Sequence, residues 1–262
     1  MRTSPDATEP TYLDALSLVA EVADELVVRP VGDTHDAWAQ RFGGYPGRHV
    51  TTTVHTGVGL GLRAASAVLG RVAETGVGPR LEDGPRGRFV NAAVNGLIGD
   101  RLARERPRLA ITMAARASGR DVVPTADGLA AAYPDATGRV VLFLHGLCEN
   151  ESYWERGRER TGTTYGAMLA GRGWTPVFLR ANTGLGVREN GVALAALGQD
   201  LLDAWPVPVE RVALVGHSMG GLVLRAAGAV ATAAHRPWTR LVSDVVTLGT
   251  PHLGAPIARG IG

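Results

Sequence analysis

The sequence predicts an α/β chain, a doubly wound and mostly parallel sheet over residues 109–262 preceded by a helical extension over residues 1–108. Three observations carry this prediction. Apolar residues recur at helical spacing until about residue 108. Beyond it, short apolar runs alternate with helical stretches. Gly216 to Gly220 then sets a Gly-x-Ser-x-Gly turn between one apolar run and the next helix.

In order along the chain, Leu13, Leu16, Val19, Ala23 and Leu26 mark a first helix, and Val54, Val58, Leu62, Ala65, Leu69 and Val72 a second. A third runs from about Phe89 to Arg104, after the breakers Gly78-Pro79-Arg80 and Asp83-Gly84-Pro85. Leu109 to Arg116 and Asp121 to Val123 flank Ser118-Gly119 and read as a β-hairpin. Thr125 is placed to cap a short helix to Tyr133. Val140 to His145 is a continuous apolar run of the kind buried in a parallel sheet. Tyr165 to Gly171 (helix), Pro176 to Arg180 (strand), Val192 to Trp205 (helix), Val209 to Val215 (strand), Met219 to Ala234 (helix) and Leu241 to Leu248 (strand) complete the alternation. Trp154, Trp174, Trp205 and Trp238 are scattered and read as core or rim.

Composition removes whole classes of chemistry. All 27 basic residues are Arg, so P-loop nucleotide chemistry and every mechanism that needs a catalytic Lys are excluded. The net charge of +2 gives no basic field to gather nucleic acid. The single cysteine, Cys148, allows no intrachain disulfide and no Cys-rich zinc site, and no metal site is expected. The first residues contain no uninterrupted apolar stretch, and Val50 to Val72 is broken by Arg63, Arg71 and several Gly. Neither a secretory signal nor a membrane span is expected, which points to a cytoplasmic protein. Peripheral membrane contact stays open through Arg101, Arg104, Arg106 and Arg108, which read otherwise as a solvated helix end. Gly57-Val58-Gly59-Leu60-Gly61 has no preceding strand and reads as helix packing, not as a dinucleotide loop.

Gly216-His217-Ser218-Met219-Gly220 carries the chemistry. An apolar strand enters it and an apolar helix leaves it, and glycines on both flanks permit the tight turn that exposes Ser218 at the C-terminal edge of the sheet. The helix N-terminus favours negative charge developing there. Acyl transfer passes through an oxyanion that needs two N–H donors. The amide of Met219 follows from the turn itself, and the strand ending in His145-Gly146 offers Leu147 as the second, with Cys148 next. His145 reads as a loop brace beside the site. Cys148 has no such turn around it and is a poor rival nucleophile.

These residues resemble a family. His145-Gly146-Leu147-Cys148, Arg180-Ala181-Asn182-Thr183-Gly184, Gly216 to Val223 and Leu248 to Pro256 look like the bacterial esterase/lipase group of the α/β-hydrolase superfamily, and more narrowly like proteins with the α/β domain of GPI inositol-deacylases. The resemblance covers residues 109–262. It implies carboxylic-ester hydrolysis without a cofactor, Ser218 as nucleophile, and Leu147 and Met219 as oxyanion donors. It also sets His252 beside the site. His217, Arg180 and Asn182 are further candidates to line it, the last two because they stand at the functional edge of such a sheet.

A serine hydroxyl needs a base, and the base an acid that orients it. In this fold the order is Ser, then Asp or Glu, then His. His235, roughly 24 Å along the helix from Ser218, lies at its wrong end. Asp244 sits near the start of its strand, away from the edge where the chemistry happens. His252 follows that strand at the correct edge. The triad acid and base are therefore expected in βα units beyond Gly262, which marks the sheet as incomplete at its C-terminus. The expected substrate is a small-molecule or lipid ester. Two alternatives stay open: an acyltransferase using the same nucleophile, and a non-catalytic binding module of the same fold.

Overall fold

The computed structural model describes residues 10–23, 71, 80–230, 234–235 and 237–254. The chain divides into two compact units, residues 1–87 and 88–262. In the first, helix α1 (Tyr12–Ala23) starts on a reciprocal cap: the Thr11 N–H and hydroxyl both donate to Asp14 Oδ2 (2.7 and 2.9 Å), and the Asp14 N–H returns to Thr11 Oγ1 (3.4 Å). An isolated bridge joins Thr11 to Arg80. The second apolar segment and the glycines at 57, 59 and 61 lie outside the described residues.

Helix α2 (Pro85–Glu105) crosses the boundary between the units and is kinked at Ile98 (φ −135°, ψ 24°). After it come β1 (Ala114–Ala117), β2 (Arg120–Val122), α3 (Ala126–Ala132), β3 (Arg139–Leu144), a 3-10 turn (Glu151–Glu155), α4 (Arg158–Thr161) and α5 (Tyr165–Ala170). The chain continues through β4 (Thr175–Arg180), α6 (Val187–Ala204), β5 (Arg211–His217), α7 (Met219–Gly228), a second 3-10 turn (Trp238–Leu241) and β6 (Val242–Leu248). The six strands form one sheet in the order β2-β1-β4-β3-β5-β6. β4, β3, β5 and β6 are parallel, and β1 runs antiparallel to both of its neighbours.

The hairpin turns on Ser118 and Gly119, with φ of 51° and 75°, the two positive values that a two-residue turn matched to strand twist requires. Its first strand is shorter than the apolar run from Leu109 predicts. The side chain of Asn95, fully buried on α2, accepts from the Ile111 N–H (2.8 Å) and donates to the Leu109 carbonyl (3.1 Å). These backbone groups are thus satisfied by a side chain instead of a ladder partner. Thr125 caps α3 by accepting from the Gly128 N–H (3.2 Å). Helix α6 begins at Val187, five residues before the expected Val192, because its first turn, with Arg188, Glu189 and Asn190, is polar and lies outside the apolar period. Helix α7 ends at Gly228, before the expected Ala234, in tight bonds from Ala229 to Ala226 and Val230 to Ala227.

The central strands are buried on both faces, as a parallel sheet between helices must be. Val140, Leu142 and Leu144 of β3 pack with Leu194, Leu197 and Leu201 of α6 and Val223, Leu224 and Ala227 of α7. On the opposite face Val141 and Phe143 meet Trp154, Trp174, Ala213 and Val215. Phe143 is fully buried, with its ring 4.9 Å from Trp154 and 5.2 Å from Phe178. β6 is an edge strand, and Val245 and Val246 on its two faces are exposed. No helix of the described residues is long and apolar enough to cross a membrane.

Candidate active site

From β3 the chain moves to β4 on one side of the sheet, then returns past β3 to β5 on the other. The loops leaving the C-terminal ends of β3 and β5 therefore diverge, and the crevice between them is where open α/β sheets bind ligands. Pairing of Leu144 with Gly216 and of His217 with Leu248 brings His145, Ser218 and Gly249 to this one edge.

Ser218 stands between β5 and α7 with φ 49° and ψ −121°, a conformation that non-glycine residues rarely adopt and that costs on the order of 1–3 kcal/mol. Its N–H is held by the Leu248 carbonyl at 2.8 Å. The surroundings impose the turn. A Cβ on Gly216 would fall 2.6 Å from the Gly221 nitrogen, and one on Gly220 would strike the carbonyl oxygens of Leu144 and His145. Thr250 fills the space beside Gly221. Ser218 occupies the cap position of α7 without a side-chain cap bond. Among the described residues no partner takes its hydroxyl, and no imidazole lies within hydrogen-bond distance of it.

The loop after β3 presents its amides selectively. Gly146 N–H donates to Glu149 Oε2 (2.8 Å), Cys148 N–H to Thr183 Oγ1 (3.0 Å), and Glu149 N–H to the Gly146 carbonyl (3.3 Å). The Leu147 N–H makes no hydrogen bond among the described residues. Met219, as the first residue of α7, has no acceptor within its helix for its own N–H. A Cβ on Gly146 would lie 3.1 Å from Ser218 Cβ, so this loop abuts the serine directly.

His145 is buried. It accepts the Ala181 N–H at Nε2 (3.2 Å) and approaches the Gly146 carbonyl with Nδ1 (2.9 Å), which places its proton on Nδ1. Burial pushes its pKa down, so the ring ties the β3 loop to the β4 loop as a neutral imidazole. Arg180 donates to both carboxylate oxygens of Asp121 (3.0 Å each), and Asp121 also receives Arg116 (2.7 Å). Buried Asn182 donates to the Gly99 carbonyl (3.1 Å) and accepts from the Gly184 N–H (3.1 Å). His252 is exposed, 3.4 Å from Thr247 Oγ1. Burial, and then the negative charge of Glu149, raise the Cys148 thiol pKa, which opposes thiolate formation. His235 is exposed, and Asp244 receives Arg211 (3.2 Å).

Two features at this edge are not legible from the motifs. Helix α2 closes on the loops after β3 and β4: a Cβ on Gly96 would strike Cys148, and one on Gly99 would strike Asn182. Glu149 lies 3.0 Å from His217 Nδ1, and the His217 ring stacks on Tyr153 (4.4 Å, 18°), over which Arg156 also lies (5.3 Å). The only sequence signal for this pair was an acidic residue three positions beyond Gly146. Among the described residues no cluster of three or more His, Cys, Asp or Glu is arranged to hold a metal ion.

The strained serine turn between β5 and α7 is the feature to set beside known proteins. Residues 198–260 match the PGAP1-like alpha/beta domain. This is a GPI inositol-deacylase-like α/β-hydrolase family, and the PGAP1-like segment takes in β5, the serine turn, α7 and β6. The mostly parallel six-stranded sheet with flanking helices fits the hydrolase fold of that family. At that level of generality the match suggests a function of the α/β-hydrolase type. No solved structure matches the chain.

Proposed function

We propose that the protein is a serine hydrolase that cleaves carboxylic esters through an acyl-enzyme on Ser218. The observation that carries this reading is the strained placement of Ser218 at the start of α7 and against the loop after β3; among the described residues its hydroxyl has no partner, and the Leu147 and Met219 N–H groups have no acceptor. In the proposed reaction Ser218 Oγ forms a bond to the ester carbonyl carbon as its proton passes to a base. The carbonyl oxygen becomes an oxyanion facing the Leu147 and Met219 N–H groups. The C–O bond to the alcohol then breaks, and the alcohol leaves with a proton. Water attacks the acyl carbon, releases the carboxylic acid and restores the serine hydroxyl.

The substrate class belonging to this proposal is a small-molecule or lipid ester, reached at the crevice between β3 and β5. Contact with a membrane surface belongs to it as well, through the arginines that follow Ile98. Of these, Arg101 pairs with Glu105 (2.9 Å) and Arg104 with Asp100 (3.0 Å). Transfer of the acyl group to an acceptor alcohol would use the same Ser218 intermediate. The absence of an imidazole bonded to the serine among the described residues favours a second reading, a binding module of the same fold.

Labelling with a fluorophosphonate probe decides between the readings. Stoichiometric labelling that disappears in Ser218→Ala, together with ester hydrolysis that disappears in the same variant, is the expected result. Labelling or ester hydrolysis that persists unchanged in Ser218→Ala would overturn the proposal. Product analysis with added alcohol separates hydrolysis from transfer.

A further inference from the structure

The Glu149 carboxylate joins two segments that chain connectivity leaves far apart. One oxygen, Oε2, accepts the Gly146 N–H at 2.8 Å and lies 3.0 Å from His217 Nδ1. A carboxylate at neutral pH is an acceptor only, so His217 carries its proton on Nδ1 and donates it. Tyr153 stacked at 4.4 Å fixes the plane of that ring. The same oxygen also sits 3.1 Å from the position a Gly146 Cβ would take, with Ser218 Cβ at 3.1 Å from that point and His217 Nδ1 at 3.0 Å. Glu149 is thus packed into the seam between the β3 loop and the serine turn.

We propose that Glu149 is a positioning residue for the pair of amides that would face the oxyanion, tying the loop that carries Leu147 to the turn that carries Met219. The inference rests on the serine-hydrolase reading and adds a residue to it. Glu149 removes the Gly146 N–H from competition and Thr183 removes that of Cys148, so Leu147 is the loop amide left to act. The bond to His217 then sets how far that amide stands from Met219. Oxyanion stabilisation depends on donors held in place before the reaction, so a loosened loop lowers the rate without weakening encounter with the ester.

The test compares wild type, Glu149→Ala, Glu149→Gln, His217→Phe and Ser218→Ala. Thermal melting, the rate of fluorophosphonate labelling, and kcat and KM on a p-nitrophenyl ester are measured. Glu149→Ala is expected to lower kcat and the labelling rate about 10- to 100-fold, with KM within about threefold of wild type. Glu149→Gln, which keeps an oxygen acceptor at the same reach, is expected to recover most of that loss. His217→Phe keeps the ring on Tyr153 but cuts one of the two ties, and an intermediate loss is expected. Wild-type kcat in a folded Glu149→Ala chain overturns the inference. If that variant does not fold, wild-type kcat in folded His217→Phe overturns it instead, as does Glu149→Gln losing kcat in full while its melting point holds. Labelling that persists unchanged in Ser218→Ala overturns the underlying reading and this inference together.

Discussion

Gly220→Ala and Gly228→Ala place the same methyl group on the same helix, α7, and are expected to have opposite effects. At Gly228 nothing lies within 4 Å of the added carbon. Alanine there gains only helix propensity, about 0.5–1 kcal/mol of added stability. At Gly220 the carbon would strike the carbonyl oxygens of Leu144 and His145 and lie 2.9 Å from the Leu144 carbonyl carbon. Ordinary contacts between carbons are about 3.5–4.0 Å, and the obstacle is the backbone of the central strand, which has no rotamer to change. Over-packing of this kind costs about 1–3 kcal/mol, which exceeds the propensity gain, so a net loss of about 1–2 kcal/mol is expected. At a urea m-value of about 2–3 kcal/mol/M, the midpoint would fall by roughly 0.3–1 M for Gly220→Ala. It would stay level or rise for Gly228→Ala. Equal midpoints for wild type and Gly220→Ala would refute the claim that close approach to β3, and not helix chemistry, demands glycine at this position.

Ser218→Gly removes the Cβ from a residue at φ 49° and is expected to raise the melting temperature, by about 1 kcal/mol of stability, while abolishing fluorophosphonate labelling; a melting temperature below wild type would count against strain at the turn. His145 gives a pH dependence. Burial lowers its folded pKa below the ordinary value near 6.5, so the unfolded chain binds the extra proton first, and its contribution to stability is complete above about pH 6.5 and declines as pH falls below that point. Urea midpoints of wild type measured from pH 7.5 to 5 should drop more steeply than those of His145→Gln, and parallel curves would refute this.

Much of the sheet was legible because its signals are local. The positive φ values at Ser118 and Gly119 belong to a turn that its two neighbouring apolar runs announced, and Thr125 caps α3 as a threonine before a helix should. Strands β3 and β5 were readable because a strand buried on both faces must be apolar without interruption. The boundaries differed where a distant side chain took backbone groups out of pairing or where an element opened on polar residues. Asn95 takes the backbone groups of Leu109 and Ile111 out of strand pairing, and the polar first turn of α6 is hidden from any search for apolar periodicity. The tight turn at Ser218, with the glycines around it, was readable because its backbone demands are contained in five consecutive residues.

The sequence by itself determined the parallel core, the hairpin and the strained turn that carries Ser218, since each depends on side-chain period or on backbone freedom within a few residues. Only the tertiary structure decided that Glu149 meets His217, that Thr183 takes the Cys148 N–H while among the described residues the Leu147 N–H has no acceptor, and that Gly96 and Gly99 bring α2 onto the loops of the functional edge. Those are meetings between segments tens of residues apart. Nothing in local spacing encodes them, because strand order and packing distance set which groups converge.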